Sequence, residues 1–179
     1  MIELSRPRTK FWQTTRCTAF AVALATIGDA CSPRAEPTLI ERRQITTEIF
    51  RDLRARIARD APGQVTCIGI RVDGPDTAAL RTQLTDPEPE VSATLRQEFA
   101  EIRPISQCQF VDVQQQLGPV VHETGTERPG TALWISEFQN PVNIRAGYYA
   151  HGLASGEWRC NATRGNSAWL VQCDLQWVS

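Results

Sequence analysis

The sequence has almost no lysine and no long apolar run, and both shortages narrow the class of protein. Lys10 is the only lysine; arginine supplies every other positive charge, and the formal net charge is -1. Such a balance provides no extended positive surface for nucleic acid or for an anionic membrane. No segment approaches the ~20 consecutive apolar residues that a transmembrane helix requires. We therefore expect no nucleic-acid partner and no membrane-spanning segment.

Catalytic motifs are equally scarce. The two histidines, His122 and His151, lie in no metal-binding spacing such as H-E-x-x-H, and neither is near a pair of cysteines. No G-x-S-x-G, P-loop or G-x-G-x-x-G motif is present. On a strand, His122 and Glu123 point to opposite faces and cannot act as a dyad. We therefore expect no enzyme, no metal site and no cofactor, with a hydrolase using His122 or His151 as the catalytic alternative.

The N-terminus has the three parts of a secretory signal peptide. Basic residues are scattered through residues 1–16, and the short, mostly apolar run "CTAFAVALATIG" follows. Small residues then precede Cys31. This order predicts a signal peptide over residues 1–30 and an exported bacterial protein. The alternative is a short, buried N-terminal helix, which the missing cap and the preceding charges disfavour.

Cys31 stands directly after the predicted cleavage site. Gly28-Asp29-Ala30 fits an ordinary signal-peptidase site, and it also resembles a bacterial lipobox, although a lipobox usually has leucine where Gly28 stands. The chain has six cysteines, and removal of Cys17 with the leader leaves an odd number. A lipid on Cys31 would leave four cysteines for two disulfides. The sequence thus predicts a lipoprotein attached through Cys31 to the outer membrane, with residues 31–37 as a tether.

The other four cysteines are predicted to form two disulfides. A hairpin with a loop at residues 165–168 sets Cys160 opposite Cys173, close enough for a bridge. Elimination then pairs Cys67 with Cys108, although four cysteines allow three pairings. Free buried thiols are the alternative, and an oxidising envelope makes disulfides the better interpretation.

Residues 38–179 are predicted to form one domain that begins with an amphipathic helix. Thr38 and Glu41 have capping-box spacing, and Pro62-Gly63 marks the end of the helix. Apolar residues recur every four positions between these limits, at Ile45, Ile49, Leu53 and Ile57. Because the remaining positions are mostly charged, this stripe is expected to face the core of the domain.

Strands dominate the rest of the chain. "QVTCIGIRV" is rich in β-branched residues and predicts a strand, and short helices are expected at "TAALRTQL" and from about Val91 to Glu101. From Thr131 onward four strands alternate with turn residues, which predicts an antiparallel meander. The expected fold is therefore α+β: an N-terminal helix packed on a mainly antiparallel sheet of four to six strands, with two disulfides.

The chain from about Val65 onward resembles a loose group of uncharacterised bacterial exported proteins and lipoproteins. The resemblance rests on "LWISEF", "GYYAHGLASGEW" and "AWLVQCDLQWVS", and earlier on "CIGI", "DTAALRTQL" and "IRPISQC". It covers about Val65 to Ser179 and implies an α+β envelope domain with a Cys67–Cys108 bridge. It implies no catalytic residues. Ala150-His151 departs from the group's small residues, and the Cys160/Cys173 pair is an addition.

The expected function is protein binding in the periplasm. Tyr148, Tyr149, His151 and Trp158 are the candidate partner-binding residues, although alternation puts the two tyrosines on opposite faces and tryptophans more often pack in a core. One concrete form is an immunity or inhibitor protein acting against a toxin or a cell-wall hydrolase. The alternative is a structural or assembly lipoprotein, and in either case a monomer is expected.

Overall fold

The computed structural model describes residues 36–57, 63–72, 83–113, 118–151 and 154–179. The chain divides into two units, Met1–Arg34 and Ala35–Ser179, and the described residues all belong to the second. The predicted signal peptide and Cys31 lie outside the described residues, as does most of the predicted helix "TAALRTQL". The last residue of that helix, Leu84, begins a strand, so the prediction is wrong at that position.

The described residues form an α+β domain, as the sequence predicts. None of their helices is long and apolar enough to cross a membrane. A 3₁₀ turn at Ile105–Gln107 joins two short strands. The helices and strands are α1 (Leu39–Ile57), β1 (Val65–Arg71), β2 (Leu84–Thr85), α2 (Pro89–Glu98), β3 (Ile102–Pro104), β4 (Cys108–Val111), β5 (Val120–Glu123), β6 (Pro129–Ser136), β7 (Ile144–His151), β8 (Ala154–Arg164) and β9 (Trp169–Val178).

The strands form one mixed sheet. Its main path runs β2-β1-β6-β7-β8-β9, and β6 to β9 form the predicted antiparallel meander. The sheet has nine strands rather than four to six, because β2, β3 and β4 are short strands. β1 lies parallel to both β3 and β6, which the sequence does not predict. Parallel neighbours are joined by a long crossover, and here that connection contains α2.

α1 begins with the predicted capping box. The N–H of Thr38 donates to the Glu41 carboxylate at 2.9 Å, and the N–H of Glu41 donates to the Thr38 hydroxyl oxygen at 3.3 Å. These bonds satisfy donors that the first turn of a helix leaves without partners. The Thr38 N–H, followed by its hydroxyl, holds the pKa of the Glu41 carboxyl below its usual range.

The apolar stripe of α1 packs on the sheet and builds the larger of two cores. Ile45, Ile49, Phe50 and Leu53 are fully buried, which confirms the predicted face. From the sheet they meet residues of β1, β6, β7 and β8 that alternate toward the helices. These sheet residues are Ile68, Leu133, Ile135, Ile144, Ala146, Trp158, Cys160 and Ala162.

Arginine–glutamate pairs join α1 to α2 and to the residues that follow it. Nε of Arg51 donates to Glu98 at 2.8 Å, and this bond holds the pKa of the Glu98 carboxyl below its usual range. Arg54, which is buried, pairs with Glu101. The partly exposed Arg51–Glu98 pair contributes little to stability, and it connects α1 with the end of α2.

A smaller core lies on the opposite face of the sheet. Val65, Cys67 and Ala132 pack there against the β4–β5 hairpin and the 3₁₀ turn. The Cys67–Cys108 disulfide covalently joins β1 to β4. The helices cover one face of the sheet, and this hairpin covers part of the other.

We expect Ile49→Ala to lower the free energy of unfolding by ~2–5 kcal/mol, because it opens a cavity where α1 meets the sheet. Ile40→Ala on the same helix is the matched control, since Ile40 is 66% exposed. Urea denaturation of the oxidised protein measures both. Equal losses for the two variants would contradict this packing.

Candidate functional site

The face of the sheet away from the helices carries a groove beside the smaller core. Its cavity has a volume of about 270 Å³. Five strands contribute to it, from β1 across to β9. We define the second-face groove by the residues that line it: Arg71, Trp134, Arg145, Tyr148, Ser155, Gly156, Glu157 and Trp177.

Trp134 forms the floor of the groove because both of its cross-strand neighbours are glycines. It lies between Gly69 on β1 and Gly147 on β7. A Cβ atom on Gly147 would lie 2.4 Å from Cζ2 of Trp134, so only glycine leaves room for the indole at this position. The ring thus lies against the backbone of β7 and is almost fully buried.

Paired charges border this aromatic floor. The guanidinium carbon of Arg71 lies 5.0 Å from the centre of the Trp134 ring, a cation–π distance, and Nε of Arg71 donates to Gln83 at 3.2 Å. Arg145 donates two hydrogen bonds to Glu157, at 2.8 and 2.9 Å. This bidentate pair holds both side chains in one orientation. The groove therefore has a fixed polar border and a rigid apolar base.

The groove ends at an exposed tryptophan on β9. Trp177 lies opposite Glu157 and is 47% exposed, although it borders the groove. Leu175 and Val178 are exposed as well, but they lie opposite Trp158 and Gly156, on the other face of the strand from Trp177. An exposed tryptophan next to a cleft is typical of a surface that contacts a partner.

The structure does not bring the four predicted partner-binding residues into one surface. Trp158 is buried on the helix side of the sheet, with its ring centre 5.4 Å from that of Tyr148. Tyr149 packs in the smaller core, and its hydroxyl donates to the carbonyl of Pro119 at 2.8 Å. Burial, followed by the charge of Asp112, raises the pKa of Tyr149. His151 is exposed at the end of β7.

The expected single aromatic patch is therefore wrong, because the alternation of a strand divides its members between two faces. Of the four, only Tyr148 lines the groove, together with Trp134 and Trp177, which were not predicted. The positions of Gly69 and Gly147 opposite Trp134 depend on strand pairing, which the sequence alone does not reveal. Trp177 follows the irregularity at residue 176, so the alternation of the last strand does not reveal which face it occupies.

Both predicted disulfides are present, and they occupy all four described cysteines. Neither histidine can therefore activate one of these thiols. Glu123, the neighbour of His122, pairs with Arg103 at 2.7 Å. Within the described ranges, no three His, Cys, Asp or Glu side chains are placed to hold a metal ion. Two disulfides are typical of a chain that folds in an oxidising compartment.

A larger cavity of about 390 Å³ lies where α1 and α2 begin. Its charged border is already paired internally, since Arg43 binds Glu88 and also lies 3.4 Å from Glu90. The carboxylate of Asp86 accepts hydrogen bonds from the N–H and hydroxyl of Ser106. These contacts tie the start of α2 to its surroundings. The second-face groove is the better candidate site because it carries the exposed Trp177.

No protein-family model, no curated protein and no solved structure matches this chain.

We expect Gly147→Ala to displace the Trp134 indole and to cost about 1–3 kcal/mol, because the new methyl group overlaps the ring. Gly69→Ala is the matched control on the other side of Trp134, since its Cβ would meet Ile105 at 3.2 Å and not the indole. The chemical shift of the Trp134 indole N–H, followed by NMR, distinguishes the two. A shift as large in Gly69→Ala would contradict the described position of the ring.

Proposed function

We propose that this chain is a protein-binding module of the bacterial envelope and that its partner docks on the second-face groove. The observation that carries the proposal is the exposed Trp177 beside the Arg145–Glu157 pair and the buried Trp134. Tryptophan and arginine are the residues most enriched among the energetic centres of protein interfaces. A preformed, rigid site also lowers the entropic cost of binding.

The charges of the groove favour a protein partner over nucleic acid. Arg145 is neutralised by Glu157, and Arg71 lies over an indole rather than beside other cations. Phosphate backbones are bound by clusters of uncompensated arginine and lysine, which this arrangement does not supply. An apolar base with a polar border is instead the usual anatomy of a protein interface.

The proposed location is the periplasm, with a lipid on Cys31 as the only membrane attachment. The two disulfides support an oxidising compartment. They also use four cysteines, so Cys31 is the one left over once the predicted leader is removed. The resemblance to bacterial exported proteins and lipoproteins points to the same compartment. We propose that this lipid anchors the protein to the outer membrane.

The concrete form that we propose is an immunity or inhibitor protein. A small domain held rigid by two disulfides suits the blocking of another protein's site, since binding orders few of its own residues. Its target would be a toxin or a cell-wall hydrolase of the same compartment. If the inhibition test fails, a structural role in envelope assembly becomes the better interpretation.

Mass spectrometry of the mature N-terminus tests the anchor. We expect diacylglycerol and a fatty acid on Cys31, and we expect Cys31→Ser to release the protein into the soluble periplasmic fraction. An unmodified N-terminal cysteine would contradict the lipoprotein proposal. The Cys160–Cys173 bridge should persist in the released variant, which controls for correct export and folding.

Trp177→Ala tests the groove. With a partner captured from periplasm and then purified, we expect the dissociation constant to rise at least about thirtyfold, or ~2 kcal/mol, because the exposed indole is the anchor of the surface. Ile40→Ala, an exposed apolar truncation on α1, is the matched control and should change it less than about twofold. For the inhibitor form, Trp177→Ala should also abolish protection in a toxin challenge. Equal affinity of both variants would exclude the groove as the docking site.

A further inference from the structure

We propose that two copies of this chain pair antiparallel through β9 and form a two-fold dimer with one continuous sheet. The proposal goes beyond the binding function above and does not depend on it, because the groove uses side chains on one face of the sheet, whereas the dimer uses the outward backbone groups of β9. It also replaces the monomer that the sequence led us to expect. The proposal rests on an open edge, on the outward direction of certain backbone groups along it, and on self-complementary side chains.

β9 is the last strand on the main path of the sheet. It is ten residues long, and no other strand in the described part of the chain pairs with it on the side away from β8. Such an edge presents backbone donors and acceptors that another strand can use. Soluble proteins usually protect a long edge with lysine, proline or several charges, whereas Asp174 is the only charged residue of β9.

The Cys160–Cys173 disulfide reveals which backbone groups of β9 point outward. The Cα atoms of this pair are 4.0 Å apart, which is the spacing of a pair without mutual backbone hydrogen bonds. The next pair of the same kind is Ala162 with Val171. The N–H of Ala162 points away from β9, since it donates to the carbonyl of Pro141 on the other side of β8 at 2.8 Å. The N–H and C=O groups of Val171, Cys173 and Leu175 therefore point away from β8.

This outward orientation of the backbone groups permits an antiparallel pairing of two β9 strands whose two-fold axis passes between the two Cys173 residues. Cys173 then lies opposite Cys173 of the second copy, and Val171 lies opposite Leu175 of the second copy. Each of these pairs can exchange two backbone hydrogen bonds, because all three residues present their N–H and C=O groups outward. Both cysteines are already in disulfides, so the contact requires no thiol chemistry.

The side chains are compatible with the same register. Val171 is half-buried against the larger core, and Leu175 is 54% exposed, so Leu175 of the second copy would extend the apolar layer of the helix side. Gln172 would lie opposite Asp174 of the second copy and can donate to its carboxylate. A register centred on Asp174 would instead oppose two like charges and use backbone groups that already bind β8.

Residue 172 provides the sharpest test, because it is exposed and its direct partner would be Asp174 of the second copy. Gln172→Lys would form two attractive pairs across the axis, and Gln172→Glu would form two repulsive ones. Gln176→Lys and Gln176→Glu are the matched controls, since residue 176 lies at the irregularity that ends this part of the ladder. The measurement is sedimentation velocity of the exported, oxidised protein from micromolar to submillimolar concentration.

We expect a concentration-dependent dimer whose dissociation constant falls about three- to tenfold in Gln172→Lys and rises by a similar factor in Gln172→Glu. The residue 176 variants should match the original chain. A monomer at every concentration overturns the proposal, and so does a dimer whose affinity is indifferent to the charge at residue 172. Association through a lipid anchor would give that second result, so the test separates the two kinds of contact.

Discussion

The parallel pairing of β1 with β6 is the interaction on which both cores depend. Seven residue pairs connect the two strands, from Val65 with Gly130 to Arg71 with Ser136. Alternate residues of β6 face opposite sides, so Leu133 meets the helices while Trp134 faces the groove. A shift of one residue would exchange these two side chains between the faces. The larger core and the groove are therefore fixed by the same register.

Local features of the fold were predictable because they depend on residues close in the chain. The Thr38–Glu41 capping box needs three residues, and the opposition of Cys160 to Cys173 needs only the hairpin between them. The parallel β1–β6 pair was not predictable in the same way. Its strands are separated by α2 and four short strands, and no turn sequence specifies which partner β1 selects.

The candidate site was missed for the same reason. The sequence shows that Tyr148 and Tyr149 face opposite sides, but it does not show that Phe110 and Pro119 come from the hairpin to cover Tyr149. Nor does it show that Gly147 lies beneath Trp134, since that contact requires the pairing of β6 with β7. A binding surface built across five strands depends on contacts that are distant in the chain.

The disulfide in the β8–β9 hairpin links the groove to the open edge. It fixes Cys173 opposite Cys160 at the edge of the sheet. It thereby fixes which β9 residues lie opposite which β8 residues, as far as the irregularity between Glu157 and Trp158. Beyond that irregularity Trp177 faces the groove, opposite Glu157. In a dimer about Cys173, the two grooves would open on the same side of one continuous sheet, because directly opposed residues of antiparallel strands share a face. A partner with two equivalent docking segments could then occupy both grooves at once. Because binding of the first segment raises the effective concentration of the second, the overall affinity would rise without any new contact within either groove.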